Sequence, residues 1–147
     1  MGIFNSFDIN ASGMTAQRYR MDVISENIAN INTTRTADGS TYRRKVVVFE
    51  QRPNSTSFRR YFETSRAMHD GQGVRVARVL EDHKTQMVMA FDPAHPDADE
   101  NGYVTYPNVN VVTEMTNIID ASRAYEANAT AFNASKSMAL KGLEMAQ

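Results

Sequence analysis

The chain of 147 residues has no cysteine and no tryptophan, and only 4 prolines and 7 glycines. Without cysteine there are no disulfides, no thiolate metal ligands and no cysteine nucleophile. Such a composition fits a protein working outside the cytoplasm, where free thiols mispair, although many cytosolic proteins lack cysteine too. No stretch approaches the roughly 20 apolar residues of a membrane-spanning helix. The opening MGIFNSFDINASGMTAQ carries no basic residue and no long apolar run, so it does not read as a secretory signal peptide. Gly2 and Ser6 fit the loose N-myristoylation pattern, but no polybasic flank accompanies them. Nucleophile elbows, phosphate-binding glycine loops and H-E-x-x-H are all missing, so no enzymatic role is expected.

The overall charge of −1 names no partner, but charge of one sign is scarce locally. Residues 35–84 carry eleven Lys or Arg against six acids, whereas residues 85–120 carry six acids and no Lys or Arg. Such a layout suits complementary contacts between neighbouring copies, and equally two oppositely charged solvated faces.

What the chain does have is helical periodicity at both ends. After Pro107 there is no proline, and a single glycine, Gly142. Val111, Ile118, Tyr125, Phe132 and Ala139 recur every seven positions, with Met115, Ala129 and Leu143 four beyond members of that row. A helix over 111–146 is about 54 Å long at 1.5 Å per residue. A globule of this chain length is only roughly 38 Å across. The helix therefore predicts an elongated molecule that seeks partners along its length. Residues 3–31 hold a matching row, Phe7, Met14, Met21 and Ile28, with Ala11, Ile24 and Ile31 beside it. Gly13 is a weak spot there, costing about 1 kcal/mol relative to alanine. The remaining faces are poor in charge. That of the second helix is rich in small residues, among them Ala121, Ala124, Ala127, Asn128, Ala131 and Ala134, which let helices approach closely.

These patterns predict an α+β fold in which long antiparallel N- and C-terminal helices form a coiled-coil-like stem. Residues 1–34 and 108–147 supply the stem, and 35–107 an inserted β-rich module. Two core helices of an ordinary α+β domain are the alternative. Within the insert, Asp38-Gly39 marks a turn, and strand-like runs follow at Tyr42–Phe49, Gly73–Leu80, Gln86–Phe91 and Tyr103–Tyr106. Val74, Val76 and Leu80 are expected to share a face with Arg78, and Met87, Met89 and Phe91 to share another. Residues 53–72 read as an irregular loop, and Asn108 or Asn110 as the N-cap of the last helix.

Several clusters resemble sites of chemistry. Asp97-Ala-Asp99-Glu-Asn101-Gly102 matches the start of a calcium-binding loop, but position twelve is Asn108 instead of glutamate and the flanks are strand-like. A hairpin turn at Asn101-Gly102 explains the same residues. His69, His83 and His95 have no helical pairing, so no zinc site is expected. Asp92, Asp97, Asp99 and Glu100 crowd one turn-rich loop and read as solvated charges, not as a hydrolytic pair. Arg43, Arg44, Lys45, Arg59 and Arg60, interleaved with Tyr42, Phe58, Tyr61 and Phe62, point to protein contact in preference to nucleic acid. No cofactor or metal is expected.

Asn27-Ile28-Ala29-Asn30, closing the first helix, resembles the N-terminal signature of flagellar rod, hook and filament axial proteins. Tyr42-Arg43-Arg44-Lys45, Gly73-Val74-Arg75-Val76, His95-Pro96-Asp97-Ala98 and Asn101-Gly102-Tyr103-Val104 are similar to motifs of the proximal-rod members of that family. So are Pro107-Asn108-Val109-Asn110 and Ser122-Arg123-Ala124-Tyr125-Glu126-Ala127-Asn128. The resemblance implies a subunit exported through the flagellar type III apparatus with an uncleaved signal. It would assemble in the periplasm into a helical rod around a central channel. Its implied partners are copies of itself, other rod subunits and the adaptor at the membrane ring. The residues expected to carry contacts between subunits are Phe7, Met14, Met21, Ile28, Asn30, Met115, Ile118, Tyr125 and Phe132. A secreted calcium-binding or adhesive β module with helical flanks is the competing reading.

Overall fold

The computed structural model describes residues 3–52 and 73–145, with side chains from Asn5 onward. The expected loop at 53–72, with His69 and the Phe58–Phe62 part of the basic–aromatic run, lies outside the described residues. The elements in order are α1 (Ile3–Ala29), β1 (Lys45–Gln51), β2 (Val74–Glu81), β3 (Val88–Phe91), β4 (Tyr103–Tyr106) and α2 (Val111–Glu144). The fold is α+β. The two long helices run antiparallel, with Phe7 against Phe132 near one end (ring centroids 5.0 Å apart) and Asn27 bonded to Glu114 near the other. Two small antiparallel sheets, β1–β2 and β3–β4, complete the molecule.

Helix boundaries follow from capping. α2 starts where the Asn110 side chain accepts the Thr113 amide at 3.1 Å, the first turn after Pro107. Asn108, the other candidate cap, is used elsewhere. α1 ends after Ala29, where both the Asn30 amide and its side-chain amide group donate to the Glu26 carbonyl.

The stem's axis differs from the apolar rows that predicted it. On α1 the buried side chains are Ser12, Ala16, Val23, Ile24 and Asn27, with Gly13 buried among them. Phe7, Met14, Met21 and Ile28 flank this line and are half-buried. On α2 the buried pair is Glu114 and Ala121. Ile118, Asn128, Phe132, Ser135 and Ala139 are half-buried around it. The second row thus runs through 114, 121, 128 and 135, four positions before the next apolar member; Ala129 is half-buried beside it, while Met115 and Leu143 lie off it. Met115 and Leu143 are 53% and 68% exposed, and Val111 is exposed too. A strict seven-residue row drifts about 20° per heptad around a straight helix. Val111 accordingly sits off the seam, while Phe132 and Ala139 have moved into it.

Close approach explains the small residues. A Cβ on Gly13 would lie 2.6 Å from Asn128 Oδ1, so this glycine is the contact point of the two helices, not a flaw in α1. α1 also carries the β1–β2 ribbon on another side. Val74 N–H donates to Ser12 Oγ at 3.0 Å while the Ser12 hydroxyl donates to the Ile9 carbonyl. Gly73 turns there at φ +87°, and any Cβ would overlap Ser12 Oγ.

In the ribbon, Val48 pairs with Arg78 but Phe49 with Val76, leaving Ala77 as a bulge. The bulge reverses the alternation. Val74, Val76 and Val79 are half-buried while Arg78 and Leu80 are exposed, so the single face expected for Val74, Val76, Leu80 and Arg78 is split. β3 is shorter than its apolar run. Met87 precedes it and is half-buried, whereas Met89 and Phe91 are exposed. Val104 on β4 is fully buried and anchors the hairpin.

Candidate assembly site

Where α1 ends and α2 begins, the chain buries a polar junction. Asn27 and Glu114 are each 1% exposed. Asn27 uses its full hydrogen-bonding capacity. Its Oδ1 accepts the Tyr42 hydroxyl and the Lys45 amide, both at 2.9 Å; its amide group donates to the Lys45 carbonyl at 2.9 Å and to Glu114 Oε2 at 3.1 Å. Glu114 Oε1 receives Arg44 through Nε at 2.8 Å and a terminal guanidinium nitrogen at 2.7 Å. The other terminal nitrogen lies 3.7 Å from Asp82. A buried carboxylate needs such a forked cation; breaking one of these pairs strands a charge and costs about 3–5 kcal/mol.

The junction extends to the segments that flank the β1–β2 ribbon. Asn108 Oδ1 accepts the Arg44 amide at 2.9 Å, and its amide group donates to the carbonyls of Asp82 and Thr85. The Thr85 hydroxyl, then the Thr85 and Lys84 amides, bond the Asp82 carboxylate and hold its pKa below the usual range, with Arg44 adding to the effect. Burial, aided by Glu26, Glu114 and Glu81, pushes the Tyr42 phenol up to about 12. Lys45 pairs with Glu26. The junction thus ties α1, β1, the segment after β2 and α2 into one body. Its groups are saturated by each other, an arrangement that holds geometry.

Several other candidate groups are similarly committed. Asp97 accepts the Thr34 hydroxyl at 2.8 Å and lies 3.8 Å from Arg35. Asp99 Oδ1 accepts the Asn101 and Tyr103 amides, closing the turn that Gly102 makes at φ +80°. Among the described residues, no three His, Asp or Glu side chains are grouped to hold a metal ion. His95 Nδ1 accepts the Asp97 amide, and exposed His83 lies 3.6 Å from Glu81. Of the basic run, Arg44 and Lys45 are engaged in the junction.

The surface carries what the interior does not. Val112, Met115 and Ile119, at i, i+3 and i+7, form an exposed apolar stripe on α2, about a third of a turn from the α1-facing line of Glu114, Ile118 and Ala121. Of the nine expected contact residues, Phe7 and Phe132 meet inside the chain. Met14, Met21, Ile28 and Ile118 flank the stem half-buried, and Asn30 caps α1. Met115 and Tyr125 are exposed. Glu114 escaped the sequence reading altogether, and Asn27, Arg44 and Asn108 were read there only in other roles. One signal for Glu114 was available: it stands seven residues before Ala121, in line with small residues, with no Lys or Arg anywhere in 85–120.

A family model described as flagella basal body rod protein matches residues 7–35. A second, described as the flagellar basal body rod FlgEFG protein C-terminal region, matches residues 100–145. The flagellar basal-body rod protein FlgC of Borreliella burgdorferi is 48% identical, over 100% of this chain and 99% of its own. FlgC of Bacillus subtilis is 41% identical over 99% of each chain, and that of Salmonella typhimurium 40% over the whole of both. The chain belongs to the FlgC family. These FlgC relatives are rod proteins of the basal body, and they match from end to end, so both helices and both sheets lie within the shared length. The first model holds Asn27 and Asn30, the second Glu114. In this FlgC-type chain the buried junction therefore joins the two separately matched regions.

Proposed function

We propose that the chain is a structural subunit of the proximal rod of the bacterial flagellum, packing into a helical tube that encloses the export channel and transmits torque. The observation that carries this is the exposed apolar stripe of Val112, Met115 and Ile119, set about a third of a turn around α2 from the face that meets α1. A helix packed on one side and apolar on the other needs a neighbour on each. Heterologous contacts that do not close into a ring generate such a tube.

The neighbours are copies of the chain and other rod subunits, with the membrane-ring adaptor at the base and the type III export apparatus before assembly. The rod stands in the periplasm, reached without signal cleavage. Residues 1–34 and 108–147 form the wall, and 35–107 the module outside it. Met115 and Tyr125 make contacts between subunits, joined by the half-exposed flanks of Phe7, Met14, Met21, Ile28, Asn30, Ile118 and Phe132. Torque passes through many such contacts and calls for no catalytic group. The calcium-binding alternative has no support, because Asp97 and Asp99 are spent on Thr34 and on their own turn.

Substituting Met115→Asp or Ile119→Asp tests the reading. These positions are exposed, so the stability of the isolated chain should stay within about 0.5 kcal/mol of wild type. Cells carrying either variant should be non-motile and lack rods beyond the membrane ring. Normal rods and swimming in both would sink the proposal.

A further inference from the structure

Two surfaces of this chain match each other yet do not meet. The outer face of the β1–β2 ribbon presents the cross-strand pair Val46 and Leu80, both exposed, Leu80 by 44%. Arg78 and Lys84 flank the pair, exposed and without an ion-pair partner among the described residues. The β3–β4 hairpin presents Met89, Phe91 and Tyr103, with Phe91 65% exposed. Beside them stand Asp92 and Glu100, with no cation in ion-pair reach among the described residues. One surface is apolar rimmed with positive charge, the other apolar rimmed with negative charge.

The chain cannot bring its own two surfaces together. The sheets make no contact with each other. The segment between β2 and β3 is pinned by the Asp82 carboxylate on Lys84 and Thr85, and by Asn108 on the Asp82 and Thr85 carbonyls. The hairpin is thereby held off its own ribbon. The ribbon rests on α1 and the hairpin is anchored by buried Val104, and each keeps exposed apolar side chains that no part of its own chain covers.

We infer that the β1–β2 ribbon of one copy receives the β3–β4 hairpin of a second copy, Val46 and Leu80 packing on Met89 and Phe91, with Arg78 and Lys84 facing Glu100 and Asp92. This rests on the rod reading and gives it a direction. The contact leaves one ribbon and one hairpin free at the two ends of the pair, so it propagates from copy to copy. The opposed rim charges set the pairing order and disfavour ribbon-to-ribbon or hairpin-to-hairpin contacts.

The absence of native cysteine makes the test clean. Full-length chains carrying Leu80→Cys and Met89→Cys are co-expressed in one cell, and isolated basal bodies are treated with a short thiol–thiol cross-linker. A Leu80-to-Met89 dimer should form in at least about tenfold excess over either homodimer, a difference of about 1.4 kcal/mol. Adding Glu100→Arg to the Met89→Cys chain should lower that product about tenfold, and Arg78→Glu in the Leu80→Cys chain should restore it. The pair Val46→Cys and Phe91→Cys repeats the measurement should either first variant fail to incorporate. Homodimers alone, or no 80–89 and no 46–91 product in basal bodies that contain the chains, overturns the inference and leaves the rod reading standing. Absence of the wild-type chain from basal bodies overturns the rod reading and the inference with it.

Discussion

Replacing Asn27 with alanine removes four hydrogen bonds at once. The Tyr42 hydroxyl and the Lys45 amide lose their acceptor, and the Lys45 carbonyl and Glu114 lose a donor. Glu114 keeps its fork to Arg44 and is affected least. Each buried polar group left without a partner costs about 1–3 kcal/mol. With two or three groups stranded and partial relaxation of the rest, the expected loss is about 3–5 kcal/mol, a large share of a typical stability of about 5–15 kcal/mol. Urea unfolding of the full chain, followed by far-UV circular dichroism, reads this directly. Asn27→Asp is the informative control. It keeps the acceptor for Tyr42 and Lys45 but places a carboxylate oxygen about 3 Å from Glu114 Oε2. Repulsion raises the pKa of the introduced acid in the folded chain, so stability is retained at low pH and lost as pH rises through that value. The variant should therefore recover relative to wild type below about pH 5, where a protonated acid again donates to Glu114. An alanine variant losing less than about 1 kcal/mol, or an aspartate variant indistinguishable from it at every pH, would refute the reasoning.

Gly13→Ala should destabilise the stem by about 1–3 kcal/mol despite its gain in helix propensity, because the new methyl meets Asn128 Oδ1 at 2.6 Å. Adding Asn128→Ala should restore most of the loss in the same urea titration; additive losses would sink the close-contact explanation. The raised Tyr42 pKa predicts alkaline sensitivity. The phenol ionises near 10.0 in the unfolded chain and about 12 in the folded one, so the stability it confers is complete below pH 10 and is lost as pH climbs through 12. The loss amounts to about 3 kcal/mol. Tyr42→Phe should flatten that limb of the pH profile. Amide hydrogen exchange on the dilute chain should fall into a gradient, slow at Asn27 and Glu114 and fast beyond Phe132. Uniform protection along α2 would contradict the one-sided packing of that helix.

The heptad rows revealed both helices, their antiparallel pairing and their excess length, because a period of seven is strong evidence over thirty residues. They misplaced the seam, since apolarity marks where a helix wants cover and not which neighbour provides it. Met115 and Leu143 carry the same signal as Ile118 but point elsewhere. The centre of the stem is written in small and polar residues that average to nothing on a hydropathy scale. Strand faces were legible until the bulge at Ala77, which no local pattern announces. The junction was hardest to foresee. Asn27, Arg44 and Glu114 are 17 to 87 residues apart in the chain, and their pairing is a product of tertiary structure alone. Asn110 was one of two equivalent caps, decided by Asn108 having been taken by Arg44, Asp82 and Thr85.

α2 has 34 residues against 27 in α1, and its surplus lies at the C-terminal end, where Met138, Leu140, Leu143 and Met145 are all exposed. Keeping such an end helical without a partner costs about 1–2 kcal/mol of backbone entropy per residue. One docking neighbour covers one side of it and recovers only part of that cost; several neighbours at once recover it all. In the proposed rod, two free copies would therefore gain little by meeting in solution, whereas a copy arriving at an existing tip, with subunits beside and below, would gain more. The uneven lengths of two helices would then favour elongation over nucleation.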